Sequence, residues 1–301
     1  MELTFWGVRG SFPVARPHVR RFGGNTSCLE LQSQGSHLII DAGTGIRALG
    51  QHLTAHGLGQ DQPLHLLISH THWDHIQGFP FFAPAYSEEY KLMLHSVDRP
   101  RHSLERLLSW QQDSHFFPVP LEQLKSKIEF SILEEESHYQ IGPFKVMCLR
   151  LNHPGVSTGF RVETSEGVFA YVSDVAPSRD LLMAEYLEGD EQELLARLYD
   201  NQLRLADGAD MVVYDTMFTP QEYRERKHWG HSTPDDGIEV CLRCKSSSLF
   251  LFHHNPEMTD EGLDEQVADY RQKLTNKPLA LYAAQEGSRW KIRPGGVERC
   301  A

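Results

Sequence analysis

Leu64-His-Leu-Leu-Ile-Ser-His70-Thr-His72-Trp-Asp74-His75 is the stretch from which the rest of the chain can be read. Leu64 to Ser69 is an apolar run of the kind that forms a buried strand in a sheet covered on both faces. It ends in three imidazoles and one carboxylate, a set too costly to bury unpaired. A strand end with that density of nitrogen and oxygen donors reads as a metal site. On an extended or tightly turned backbone His70 and His72 point the same way. Asp74 and His75 follow in the turn and can face a second ion.

Working outward, the same geometry recurs. His37 to Ile40 reads as a strand ending in Asp41, which can orient a neighbouring histidine or cap the helix expected from Ile46 to His52. The Gly43-Thr-Gly45 turn after it lacks the Lys-Ser/Thr of a phosphate loop, so a nucleoside triphosphate is not expected. Phe144 to Leu151 is a strand ending in Asn152-His153. A hairpin of Ser157 to Glu163 and Gly167 to Val172 ends in Ser173-Asp174. Met211 to Tyr214 runs into Asp215, and Leu249 to Phe252 into His253-His254. Strand ends are where α/β sheets collect their sites. A lone Asp174 would read as a helix cap; beside the others it reads as a bridging ligand.

The remaining chain supports one domain over residues 1–301, without repeats or a Ser/Pro-rich linker. The Gly-rich loop from Arg9 to Thr26 is either a plain turn-rich connection or a wall of the site. Residues 87–140 are expected to alternate strand (Lys91 to Ser96), helix (Leu104 to Gln111) and strand (Ile128 to Leu133), an elaboration that can cover the site. Within it His115-Phe-Phe-Pro-Val-Pro120 is either core or substrate wall. Residues 178–208 read as helical and acidic, centred on Glu185 to Glu193, a solvated face. His231 precedes a helix from about Pro234 to Lys245, with Ser232 or Thr233 as its cap. Cys241 and Cys244 lie one turn apart on that helix and read as packing residues. The tail is expected to be helical from Asp260 to Leu274, with a strand at Leu279 to Ala283.

Lys and Arg number 29 against 41 Asp and Glu, a net charge of −12. That balance argues against non-specific affinity for nucleic acid or anionic lipid. Five cysteines at irregular spacing read as free thiols in a reducing compartment, and hence the cytoplasm. The opening residues lack a basic region and a long apolar core, so no signal peptide is expected, and no apolar run is long enough to span a membrane.

Taken together, Asp41, His70/His72/Asp74/His75, His153, Asp174 and His253 resemble the metallo-β-lactamase superfamily of hydrolases, from about residue 3 to 290. Gly7-Val-Arg-Gly-Ser11, Gly23-Gly-Asn-Thr26 and Gly230-His231-Ser-Thr233 look most like its phosphodiesterase branch. That branch holds the tRNA 3′-processing endonucleases (RNase Z), cyclic-nucleotide phosphodiesterases and the phosphoribosyl cyclic phosphate phosphodiesterase. The resemblance implies an αββα sandwich of two mixed sheets with metals at one edge. It implies that His70, His72 and His153 hold one divalent ion, that Asp74, His75 and His253 hold another, and that Asp174 bridges. Asp41 would hydrogen-bond a ligand histidine. His254 competes with His253 for the last position; His253 is preferred because it directly follows the strand. Zinc leads among the metals, with manganese and iron also suited to His and carboxylate ligands.

The implied chemistry is hydrolysis of a small phosphodiester, a cyclic nucleotide or cyclic phosphate, by a hydroxide bridging ions about 3.5–4 Å apart. Asp74 would belong to the catalytic group, and His231, backed by Asp215, would be the general acid. In the tRNA endonucleases the orienting residue is typically glutamate; here it is aspartate. RNase Z enzymes also carry a basic arm where this chain has its acidic region, so long RNA is not expected to bind. A homodimer is common in the branch. The alternatives are a thioester or lactone hydrolase of the same fold, for which the Asp215/His231 pair would be dispensable, and an RNA-processing endonuclease.

Overall fold

Glu2–Gly7 (β1) alternates half-buried and buried side chains, the period-two pattern of a strand with one covered face. The same logic builds the rest of a first sheet in this computed structural model, which describes residues 1–99, 101–182 and 190–300. Cys28–Ser33 (β2) and Ser36–Ile40 (β3) form a hairpin, Ile46–His56 (α1) crosses over, and Leu64–Leu67 (β4) runs parallel to β3. A four-residue helix, Trp73–Ile76 (α2), follows the histidine-rich turn. Lys91–Val97 (β5), Leu104–Gln111 (α3) and Lys127–Leu133 (β6) complete the parallel half.

His138–Ile141 (β7), Phe144–Leu151 (β8), Ser157–Thr164 (β9) and Gly167–Val172 (β10) form the antiparallel half of a second sheet. Glu191–Ala206 (α4), Met211–Asp215 (β11), Pro220–Arg226 (α5), Pro234–Arg243 (α6), Ser248–Phe252 (β12), Asp260–Lys273 (α7) and Ala280–Ala283 (β13) make its parallel half. Arg289–Arg293 (β14) and Gly296–Arg299 (β15) then return to the first sheet beside β1. Among the described residues the strand orders are β15-β14-β1-β2-β3-β4-β5-β6 and β13-β12-β11-β10-β9-β8-β7.

Three apolar layers hold this together. Leu3, Phe5, Leu31, Leu38 and Ile40 of the first sheet meet Val146, Phe160, Phe169, Val213 and Phe250 of the second between the sheets. The alternate residues face outward: Ile39, Leu66 and Leu94 pack under α1 and α3, and Leu149, Val212 and Leu249 under α4, α6 and α7. With both faces covered, β12 reads as an unbroken apolar run from Leu249 to Phe252, as buried parallel strands do, and β4 departs from that pattern only at half-buried His65. The result is the expected αββα sandwich of two mixed sheets.

Several expectations need correcting. The helical reading of 178–208 holds only from Glu191, where the Asp190 side chain accepts from the backbone N–H groups of Gln192 and Glu193 as an N-cap. Residues 178–180 are a turn, and 183–189, most of the acidic centre, lie outside the described residues. Strands β7, β14 and β15 and helix α5 were not expected. Thr233 caps α6 in a reciprocal box with Asp236. Cys28, Cys148, Cys241 and Cys244 are buried free thiols, and burial pushes Cys241 far above the ordinary thiol range. Among the described residues no helix is long and apolar enough to cross a membrane.

Candidate metal centre

Six strands, β3, β4, β8, β10, β11 and β12, deliver their C-terminal ends to one edge of the sandwich, and each end carries a polar group. Asp41 follows β3, His70 to His75 follow β4, and His153 follows β8 after Asn152. Asp174 follows β10 after Ser173, Asp215 closes β11, and His253 follows β12 directly. Two four-residue groups result, each with its ligand atoms within 4.8 Å of one another: His70, His72, His153 and Asp174, and Asp74, His75, Asp174 and His253. Asp174 belongs to both. Of the seven side chains only His72 is exposed.

The hydrogen bonds around the cluster point bare imidazole nitrogens inward. His75 Nδ1 donates to Asp41 Oδ2 at 2.7 Å, and His153 Nδ1 donates to the Gly230 carbonyl at 2.8 Å, leaving both Nε2 atoms as acceptors. Those nitrogens lie 3.4 Å from His253 Nε2 and 3.0 Å from His72 Nδ1. His70 Nε2 and Asp174 Oδ1 are buried and have no hydrogen-bond partner among the described residues. Orphaned buried acceptors converging on one point are what a cation would satisfy. The donor set, nitrogen and carboxylate oxygen without thiolate, suits two divalent ions.

The electrostatics divide the cluster: although burial opposes it, Asp174, Asp74 and Asp41 push His75 well above the ordinary imidazole range. Burial pushes His70 and His72 down and His153 to about 3, so these imidazoles are neutral. On the other side burial opposes protonation of His253, yet Asp174, Asp74 and Asp215 push it up to about 9. Although burial pulls the other way, His75 and His253 hold the Asp74 carboxyl far below the usual carboxylate range. Asp74 Oδ2 accepts from the Ser11 N–H at 2.7 Å and from His253 at 2.9 Å.

Asp41 does not cap α1, whose N-cap is Gly45 without a side-chain bond. It is fully buried and also accepts from the Ser69 N–H and hydroxyl and from the Tyr171 hydroxyl. Both Asp41 (φ 62°) and His253 (φ 59°) adopt left-handed backbone that non-glycine residues rarely take, strain of the kind found at functional sites. His254 points away: its Nε2 donates to the Ala284 carbonyl at 2.8 Å, and burial pushes it down to about 3.

Asp215 and His231 also meet here. His231 Nδ1 lies 2.9 Å from Asp215 Oδ2, and its ring stacks on His253 with centroids 4.9 Å apart. Asp215 accepts in addition from the N–H groups of Val175 and Met217. Asp174, Asp215, His231 and His253 form a third group of potential ligands, but there His231 Nδ1 is already taken by Asp215.

The Arg9–Thr26 loop is a wall of the site. A Cβ on Gly10 would lie 2.5 Å from the His253 ring, and one on Gly230 2.5 Å from His153 Nδ1. Only glycine lets the backbone approach the imidazoles so closely. Arg9, fully buried, bonds the carbonyls of Gly23, Asn255 and Met258 and so ties this loop to the segment carrying His253. His115 is not part of the cluster; it is exposed and paired with Asp113.

A family described as the beta-lactamase superfamily domain matches residues 37–254. The chain belongs to the beta-lactamase superfamily. Membership makes it a hydrolase by class. Within this superfamily it is 22 % identical to a ribonuclease Z of Staphylococcus carnosus over 312 residues, covering 92 % of this chain and 95 % of that one. The fold is similar to that of the short form of human tRNase Z, with TM-score 0.63, 18 % identity and coverage of 97 % and 99 %. A diphosphatase from the PhnP family has TM-score 0.62 and 17 % identity, covering 98 % of each chain.

Proposed function

We propose that this protein is a dinuclear, metal-dependent phosphodiesterase acting on a small phosphodiester, such as a cyclic nucleotide or cyclic phosphate, in the cytoplasm. The observation that carries the reading is the pair of four-residue donor groups sharing Asp174, with the Asp215–His231 pair beside them. His70, His72, His153 and Asp174 would hold one ion, and Asp74, His75, His253 and Asp174 the other. When bound, two such ions supply an activated water near neutral pH and neutralise charge on the phosphoryl oxygens. Zinc is the first choice, with manganese or iron also compatible.

The chain's own residues have separate tasks. Asp41 fixes the His75 ring and the Gly230 carbonyl fixes His153, so the Nε2 lone pairs stay aimed inward. Asp215 accepts the hydrogen bond of His231 Nδ1–H and leaves Nε2 to carry the proton for the departing alkoxide. That a carboxylate-backed imidazole is provided at all favours an alkoxide leaving group over the thiolate of a thioester. Gly10 and Gly230 keep the two ligand rings packed from outside.

RNA cleavage is the second reading, favoured by the ribonuclease Z relative that aligns over nearly the full length. Against it stands the net charge of −12, since polyanion binding rests on Lys and Arg contacts to phosphates. The deciding experiment incubates Zn²⁺- or Mn²⁺-loaded protein with bis(p-nitrophenyl) phosphate, a panel of cyclic nucleotides, and a tRNA precursor with a 3′ trailer. Turnover of the small diesters without cleavage of the precursor supports the proposal. Cleavage of the precursor alone overturns its substrate class, and inactivity on every diester overturns the chemistry.

A further inference from the structure

The histidine-rich turn and α3 enclose an apolar slot of about 370 Å³, within the ~300–1,000 Å³ range of small-molecule sites. It is lined by Thr71, Trp73, Leu107, Trp110, Gln111 and Phe116. Thr71 and Trp73 are the chain neighbours of His72, the one exposed member of the first donor group, so the slot is built in part on the turn that carries that ligand. Its aromatics are displayed: Trp73 is 66 %, Trp110 45 % and Phe116 79 % exposed. Trp110 is held by an edge contact from His102 at 4.5 Å and by the Arg106 guanidinium 5.0 Å over its ring. Gln111 Nε2 donates to the Ile76 carbonyl at 2.9 Å, while its Oε1 is buried and without a partner. An orphaned acceptor in an apolar slot costs stability until a ligand N–H pairs with it.

We infer that this slot receives the base of a nucleoside phosphodiester, stacked on the aromatic rim and donating an exocyclic N–H to Gln111 Oε1. The inference rests on the phosphodiesterase reading and narrows it, because a base-free ribosyl cyclic phosphate offers neither a π-face nor an N–H. A purely aliphatic acyl group would fill the slot but leave Gln111 unpaired. Base–aromatic stacking corresponds to about tenfold or more in affinity per base.

The test has two arms on the metal-loaded full chain. Calorimetry compares adenosine 5′-monophosphate with ribose 5-phosphate, and kinetics compare adenosine 3′,5′-cyclic phosphate with its methyl riboside analogue. The expected result is a preference for the nucleoside of about tenfold or more in Kd and kcat/KM. Phe116→Ala, a change at an exposed ring, and Gln111→Leu should each shrink that preference. Equal Kd values for the two monophosphates, or a preference untouched by both substitutions, overturns the inference. Cleavage of both cyclic diesters with equal kcat/KM also overturns it while sparing the phosphodiesterase reading. A base preference in Kd without cleavage of either diester keeps the slot and sinks that reading.

Discussion

Trp73 is 66 % exposed, whereas Asp74, the next residue, is nearly fully buried and bonded to Ser11 and His253. One peptide bond thus separates two regions built on opposite rules. The centre is made of buried strand-end side chains backed by a layer of hydrogen bonds, two of them on left-handed backbone, with donor atoms such as His70 Nε2 and Asp174 Oδ1 left facing inward without a partner among the described residues. The rim, drawn largely from 73–117, is made of rings left in water and one amide oxygen without a partner. The contrast teaches which part carries chemistry and which part carries choice. In the proposed reading, the groups that would polarise a phosphodiester are held with little freedom, while those that would select its organic half lie on α2, α3 and the turn after it.

The contrast is broken most severely at Asp174. Replacing it with Ala removes the oxygen donor common to both groups, and the expected result is loss of bound metal and of hydrolysis with the fold retained. Metal analysis beside far-UV circular dichroism checks it. Retention of the full metal complement would remove Asp174 from its bridging role. Next, His231→Ala should lower kcat by ~10²–10⁴ while leaving metal content unchanged, the amount a general acid contributes. A drop in metal content instead would make His231 a ligand. Asp41→Asn comes third: it frees the His75 ring and should weaken metal affinity about 10–100-fold, read by competition with a chelator. At the rim, Trp110→Ala should raise KM for a nucleoside diester about tenfold, far less than the changes at the centre.

The smallest effect lies away from both regions. His95, buried against His65 with ring nitrogens 2.9 Å apart, is pushed by burial from 6.5 down to about 4. Its folded value is the lower one, so the unfolded chain binds the extra proton between those limits. The stability this burial supplies is present above pH 6.5 and is lost as pH falls toward 4. Melting temperatures at pH 7 and pH 4.5 should therefore differ by less in His95→Gln than in the parent chain. An unchanged difference would show that His95 is not what titrates.

Much of this was legible in the residues because apolar strands announce their own ends. The runs before Asp41, His70, His153, Asp174, Asp215 and His253 are each largely buried, so the polar residue that follows marks the sheet edge. Hydrophobic pattern failed where burial is one-sided. In β7 only Ile141 is buried, and β14 buries only Trp290 and Ile292, although its alternation before Pro294-Gly-Gly296 is a hairpin signal. Helix α5 carried a capping box, Thr219 with Glu222, behind Pro220 at its first turn. What no local pattern contains is tertiary: that Gly10 packs on His253 across the length of the chain, or that Gln111 Oε1 goes unpaired beside three exposed rings.

Whether seven side chains hold two divalent ions is tested most directly by the metal content of the purified protein. About two ions per chain are expected, removable by chelation together with hydrolysis and restored with it on adding Zn²⁺ or Mn²⁺. A protein that cleaves a phosphodiester undiminished after exhaustive chelation, with no metal detected, would contradict that expectation.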